Sequence, residues 1–185
     1  MQQSPEVISI HRGRTQPTHF LRVLDLDAHQ LTRLLDLAAK MRDDWRPFEG
    51  QLRGESVACY FAKPSTRTRV SFEAAAHRLG MLPIMLRPDA LDRGSGEPVE
   101  DTAKVLSSYC RAIVARVYSQ DVLDRMAAAS AAPVVNALSD DHHPCQSLAD
   151  LLTLRDIFDD LAGLRVAYLG DATNVAQSLM EAGAL

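Results

Sequence analysis

The densest cluster of reactive side chains is Lys63-Pro64-Ser65-Thr66-Arg67-Thr68-Arg69, with hydroxyls and guanidinium groups side by side. Hydroxyls and main-chain N–H groups at a helix start can wrap a phosphate, and a guanidinium adds paired, charge-assisted hydrogen bonds. The competing reading is that Ser65 or Thr66 merely caps a helix while the arginines face water. A second cluster is Asp140-Asp141-His142-His143-Pro144-Cys145-Gln146. Pro144 suits the first position of a helix and leaves His143 at its cap. Two histidines beside a cysteine suggest zinc or a thiol nucleophile. However, no other His/Cys cluster completes a tetrahedral set, and adjacent residues at a helix start do not point at each other. His143 is read instead as a hydrogen-bond donor to a substrate oxygen, and Gln146 as a reader of an amide. Arg116 follows the apolar run Ala112-Ile113-Val114-Ala115 and either snorkels to water or faces a ligand. The combined set suits a small phosphorylated carbonyl compound. A glycine-rich phosphate loop of the Walker or dinucleotide type is absent from the sequence.

Side chains so far apart in sequence need a scaffold that gathers them. Short apolar runs at Ser56–Phe61, Leu82–Leu86, Ala112–Ala115 and Pro133–Ala137 alternate with helical patterns at Arg67–Leu79, Val99–Tyr109, Val122–Ala129 and Gln146–Phe158. This rhythm predicts an α/β fold, a parallel sheet flanked by helices on both faces. In such a fold ligands gather at the carboxyl ends of the strands, where all three clusters lie. An earlier amphipathic helix runs from an Asp27 cap to about Arg42, and Gly80 is placed to end the Arg67–Leu79 helix. The Gln146–Phe158 helix carries apolar residues around most of its circumference, which predicts deep burial. The run Arg165–Leu169, followed by Gly170-Asp171 and a helical stretch, predicts one more strand-helix unit. The expected divisions are a lead-in at 1–19, a main domain at 20–160, and the start of a second α/β domain at 161–185.

Of the 185 residues, 46% are hydrophobic, 24% charged and 5% aromatic, with a net charge of -4. This is the composition of a soluble globular chain without a broad basic field for nucleic acid or anionic lipid. The sequence contains no run of about 18 apolar residues to span a membrane. Three cysteines without a CxxC pair fit a reducing cytoplasm.

The stretch Phe61 to Glu73, FAKPSTRTRVSFE, resembles the carbamoyl-phosphate motif of the aspartate and ornithine carbamoyltransferases. His143-Pro144-Cys145-Gln146 with Leu148 to Thr153 resembles their second motif, and the likeness runs from about Phe20 to the end. Leu148-Ala149-Asp150-Leu151 and Gly170 to Ser178 are most similar to the ornithine enzymes, since aspartate enzymes tend to carry His-Ser-Arg in the latter loop. The resemblance implies that Ser65, Thr66, Arg67 and Thr68 hold the phosphate of carbamoyl phosphate. It implies further that Arg116 and His143 polarise the carbonyl oxygen, Gln146 binds the amide and Asn174 helps bind L-ornithine. Arg67, Arg116 and His143 would be the catalytic residues. The implied reaction gives L-citrulline and phosphate in arginine metabolism, in a cytoplasmic homotrimer without metal or organic cofactor. Alternatives are an aspartate or modified-ornithine carbamoyltransferase, or a non-catalytic carbamoyl-phosphate-binding or assembly module. Two departures stand out. Asp92 falls where ornithine enzymes usually carry a glutamine that touches carbamoyl phosphate. The Ser-Met-Gly and His-Cys-Leu-Pro motifs of the family's second domain are absent, so the chain is read as an N-terminal half that does not complete catalysis alone.

Overall fold

The structure, a computed structural model, describes residues 18–86 and 97–185. The expected strands form as β1 (Ser56–Phe61), β2 (Leu82–Leu86), β3 (Ala112–Arg116) and β4 (Val134–Leu138). They make one parallel sheet in the order β2-β1-β3-β4. Helices α1 (Ala28–Asp43), α2 (Thr66–Arg78), α3 (Val99–Tyr109), α4 (Gln120–Ala129), α5 (Pro144–Phe158) and α6 (Asn174–Ala184) accompany it. Successive residues of β1 point to opposite faces. Val57, Cys59 and Phe61 pack with Phe72 and Ala76 of α2, while Ala58 and Tyr60 pack with Ile113, Ala103, Leu123 and Met126. Both faces are therefore covered, which explains why the strands read as continuous apolar runs. A third cluster joins Leu31 and Leu35 of α1 to Leu151 of α5 and Ala182 of α6.

The start of the described chain is tied to residues far along it. Phe20 pairs in parallel with Val135, donating to the Val134 carbonyl and accepting from the Asn136 N–H, each at 2.8 Å. Arg22 forks onto Asp124 at 2.9 and 3.1 Å, Arg155 reaches Asp36 at 2.7 Å, and Arg42 pairs with Asp156. His19, assigned from sequence to the lead-in, already accepts the Val134 N–H through Nδ1 at 3.1 Å.

Local signals set the helix ends. Asp27 caps α1 in a reciprocal box in which its side chain accepts from the Gln30 N–H at 2.7 Å and Gln30 accepts from the Asp27 N–H at 2.8 Å. Gly80 ends α2 with φ +82°, and a Cβ there would sit 2.8 Å from the Gly50 Cα and 3.2 Å from the Arg53 Cα. Gly54 has a similar φ of +86° but nothing within 4 Å of its Cβ position. Gly54→Ala should therefore carry only left-handed strain, about 1–2 kcal/mol, whereas Gly80→Ala adds a backbone clash. Urea unfolding should show the larger loss for Gly80→Ala; equal losses would mean that the Gly50–Arg53 turn yields freely.

Two sequence expectations are corrected. Helix α5 is not buried all round: Pro144, Ser147 and Leu151 are covered, but Ile157 and Phe158 are exposed, because among the described residues its main neighbours are β4, α1 and α6, which leave these two side chains uncovered. The strand expected at Arg165–Leu169 does not form, and Leu169 is 96% exposed. A strand needs a ladder partner for its N–H and C=O groups, and among the described residues none lies beside this segment. The helix expected after it does form, as α6.

Candidate functional site

Strand order fixes the location of the site. From β1 the chain moves outward to β2 and then returns past β1 to β3, so the order in which strands are added reverses between β1 and β3 while all strands stay parallel. Loops leaving the carboxyl ends of those two strands diverge and leave a crevice. The ends are locked in register: Phe61 pairs with Arg116, whose carbonyl accepts the Ala62 N–H at 2.9 Å. Above them lies a cavity of about 490 Å³ lined by the Ser65–Thr68 turn, Arg116, His143 and Gln146.

At the start of α2, Ser65 is the cap and its Oγ accepts the Thr68 N–H at 3.3 Å. That bond occupies a lone pair and leaves the hydroxyl proton for a ligand, so capping and anion binding coexist. Arg67 and Thr68 line the cavity, while Thr66 is exposed and does not. Arg116 donates through Nη1 to the Thr68 Oγ1 at 3.3 Å, and its Nε is buried without a partner. Burial first, and the positive charge of Arg67 second, lower the Arg116 pKa. Two guanidinium groups held together, one with an unsatisfied N–H, favour an anion between them.

His143 caps α5 through its backbone, with no side-chain cap bond, and Pro144 follows at the first helical position. Its Nδ1 is buried without a partner. Burial, then the nearby Arg116 charge, lower the imidazole pKa below 6.5, and Asp150 opposes the shift. At neutral pH the ring is uncharged and retains one N–H to donate. The folded chain thus holds fewer protons than the unfolded chain near pH 6, so this group's contribution to stability falls as pH drops through that range. An NMR titration of the His143 ring should give a midpoint below 6.5 that rises when inorganic phosphate is added; a midpoint at or above 6.5 in the free chain would contradict this environment.

Gln146 donates through Nε2 to the Asp150 Oδ1 at 2.8 Å. With the amide nitrogen engaged as donor, this bond orients the amide and leaves the Gln146 carbonyl oxygen for a ligand N–H. Cys145 lines the cavity but donates to the Asn136 carbonyl, and burial pushes its thiol up to about 12, which leaves it unreactive. Among the described residues, no group of three or more His, Cys, Asp or Glu side chains is arranged to hold a metal ion.

Asn174 is not brought to this cavity. Its amide donates to the Ser139 carbonyl at 2.6 Å and pins the start of α6 to the β4–α5 turn. Asp92 lies outside the described residues. Ser71, Phe72 and Leu138 also line the cavity, although the sequence reading did not single them out. Helical spacing could have found the first two, which stand one turn after Arg67 and Thr68, and Leu138 ends β4.

A family model described as the aspartate/ornithine carbamoyltransferase carbamoyl-P binding domain matches residues 18–156. The ornithine carbamoyltransferase of Parafrankia sp. is 54% identical over 170 residues, covering 90% of this chain and 54% of that protein. The ornithine carbamoyltransferase of Acidothermus cellulolyticus is 50% identical with the same coverage. The crystal structure of ornithine carbamoyltransferase from Thermus thermophilus superposes with a TM-score of 0.85 at 41% identity, covering 90% of this chain and 58% of that one. The chain spans about half the length of these relatives. With the motif-bearing turns gathered at the sheet's reversal point and the family model matched across the whole sheet, the chain belongs to the aspartate/ornithine carbamoyltransferase family, in its carbamoyl-P binding domain.

Proposed function

We propose that this chain binds carbamoyl phosphate at the β1–β3 crevice and serves transfer of its carbamoyl group to the δ-amino group of L-ornithine. The supporting observation is the convergence of the Ser65–Thr68 turn, Arg116, His143 and Gln146 on one cavity. In this reading Ser65, Arg67 and Thr68 hold the phosphate, and Thr66 contributes its backbone. Arg116 and His143 donate to the carbonyl oxygen, and the Gln146 carbonyl accepts from the carbamoyl amide. The neutral amine attacks the carbonyl carbon and a C–N bond forms. The tetrahedral oxyanion collapses with cleavage of the C–O bond to phosphate, and the amine proton leaves to phosphate or solvent. The chain's part is positioning and charge stabilisation where the oxyanion develops.

Residues 20–160 serve in this reading as the carbamoyl-phosphate domain and 161–185 as the start of the amino-acid domain. Assembly as a homotrimer, a cytoplasmic location and a role in arginine biosynthesis rest on family likeness alone. Sedimentation equilibrium checks the trimer. The non-catalytic binding module is favoured by one observation, the engagement of the Asn174 amide with the Ser139 carbonyl rather than with the cavity.

Calorimetric titration with carbamoyl phosphate tests the binding step. A citrulline assay, on the chain alone and fused to the remaining half of the Parafrankia relative, tests the transfer. Saturable binding with citrulline from the fusion supports the full reading. Binding without citrulline selects the binding module, carbamoyl aspartate in place of citrulline selects the aspartate alternative, and no binding by a folded chain rejects all three.

A further inference from the structure

Gln occupies the third position of two helices in this chain and behaves differently in each. In α1, Gln30 folds back and accepts the N–H of the capping residue Asp27 at 2.8 Å. In α5, Gln146 stands at the same position relative to its cap, His143, yet turns forward to Asp150 and the cavity. A cap N–H ordinarily draws a third-position Gln or Glu side chain back onto itself. At His143 that N–H is already taken: it donates to Oγ of Ser178, a fully buried residue of α6, at 2.8 Å. Helix α6 is held against this turn by the Asn174 bond to Ser139, and the Glu181 carboxylate lies 3.3 Å from Nδ1 of His142.

We infer that Ser178 is a positioning residue for the carbamoyl site: by accepting the His143 N–H it releases Gln146 to face the ligand. This rests on the carbamoyl-phosphate reading above. Ser178 removes the acceptor role that would draw Gln146 backward, and Asp150 holds the released amide forward. Without the Ser178 hydroxyl, the His143 N–H is left buried and unpaired, and Gln146 is the side chain within its reach by helix geometry. The Gln146 carbonyl oxygen then leaves the cavity.

The test uses the 185-residue chain. In a crystal structure of Ser178→Ala, Gln146 should sit back on the His143 N–H and off Asp150. Carbamoyl-phosphate affinity should fall about three- to tenfold, the range for loss of one hydrogen bond, and by about as much in Gln146→Ala. The double variant should bind no more weakly than Gln146→Ala, because both changes remove the same contact. Ser178→Cys keeps the volume and weakens the acceptor, so it should shift Gln146 and the affinity in the same direction if the alanine variant is unstable. Gln146 still on Asp150 in the variant, or additive losses in the double variant, would overturn the inference. If the unsubstituted chain binds no carbamoyl phosphate, the functional reading fails, while the position of Gln146 in the variant crystal still decides the role of Ser178.

Discussion

His143→Ala should lower the citrulline turnover of the fused protein about 10²- to 10³-fold, the usual effect of deleting one donor to a developing oxyanion. The helix it caps should remain intact. His143 closes α5 with its backbone alone, its N–H held by Ser178 and its carbonyl accepting from Gln146 and Ser147, so alanine keeps every cap bond. Far-UV circular dichroism should therefore be unchanged while turnover falls. Loss of helix together with activity would instead make His143 a packed structural residue.

Arg116→Ala should weaken carbamoyl-phosphate binding about 10- to 100-fold, the range for a hydrogen-bonded charge facing an ionised ligand. Its effect on the free chain should have the opposite sign or be nil. Arg116 is partly buried, has an unsatisfied Nε and is repelled by Arg67, so without a ligand its charge is unfavourable there. Thermal unfolding of the free variant should occur at the same temperature or higher, and added carbamoyl phosphate should stabilise it less than the parent chain. A free variant that melts lower would show that the 3.3 Å bond to Thr68 outweighs this repulsion. Residues placed for a ligand commonly carry such a penalty in its absence.

The sheet could be read from sequence because each strand is apolar on both faces and each helix carries its own punctuation, such as Asp27 before α1, Gly80 after α2 and Pro144 opening α5. The strand-end rule then placed Ser65, Arg67, Thr68, Arg116, His143 and Gln146 around one cavity. Expectations failed where the outcome depended on a neighbour that local pattern does not reveal. Arg165–Leu169 has the composition of a strand but no ladder to join among the described residues. Helix α5 has apolar residues all round but packing on one side, which leaves Ile157 and Phe158 exposed. The Asn174 amide donates to the Ser139 carbonyl, a tertiary bond that local pattern likewise does not show. Ser178 carried no local signal, because its role depends on a tertiary bond to a residue 35 positions away.

The ties between the start of the chain and its distant partners bear on synthesis at the ribosome. Phe20 must await Val135, Arg22 must await Asp124, and Arg42 must await Asp156. The α1 layer thus emerges early but docks late, after the four-strand sheet has been made, and until then Leu31 and Leu35 have no Leu151 to cover them. A nascent chain halted before Val135 would expose both that apolar stripe and the β3 edge that β4 later covers, which makes the interval between Phe20 and Val135 the period in which a chaperone has the most surface to hold.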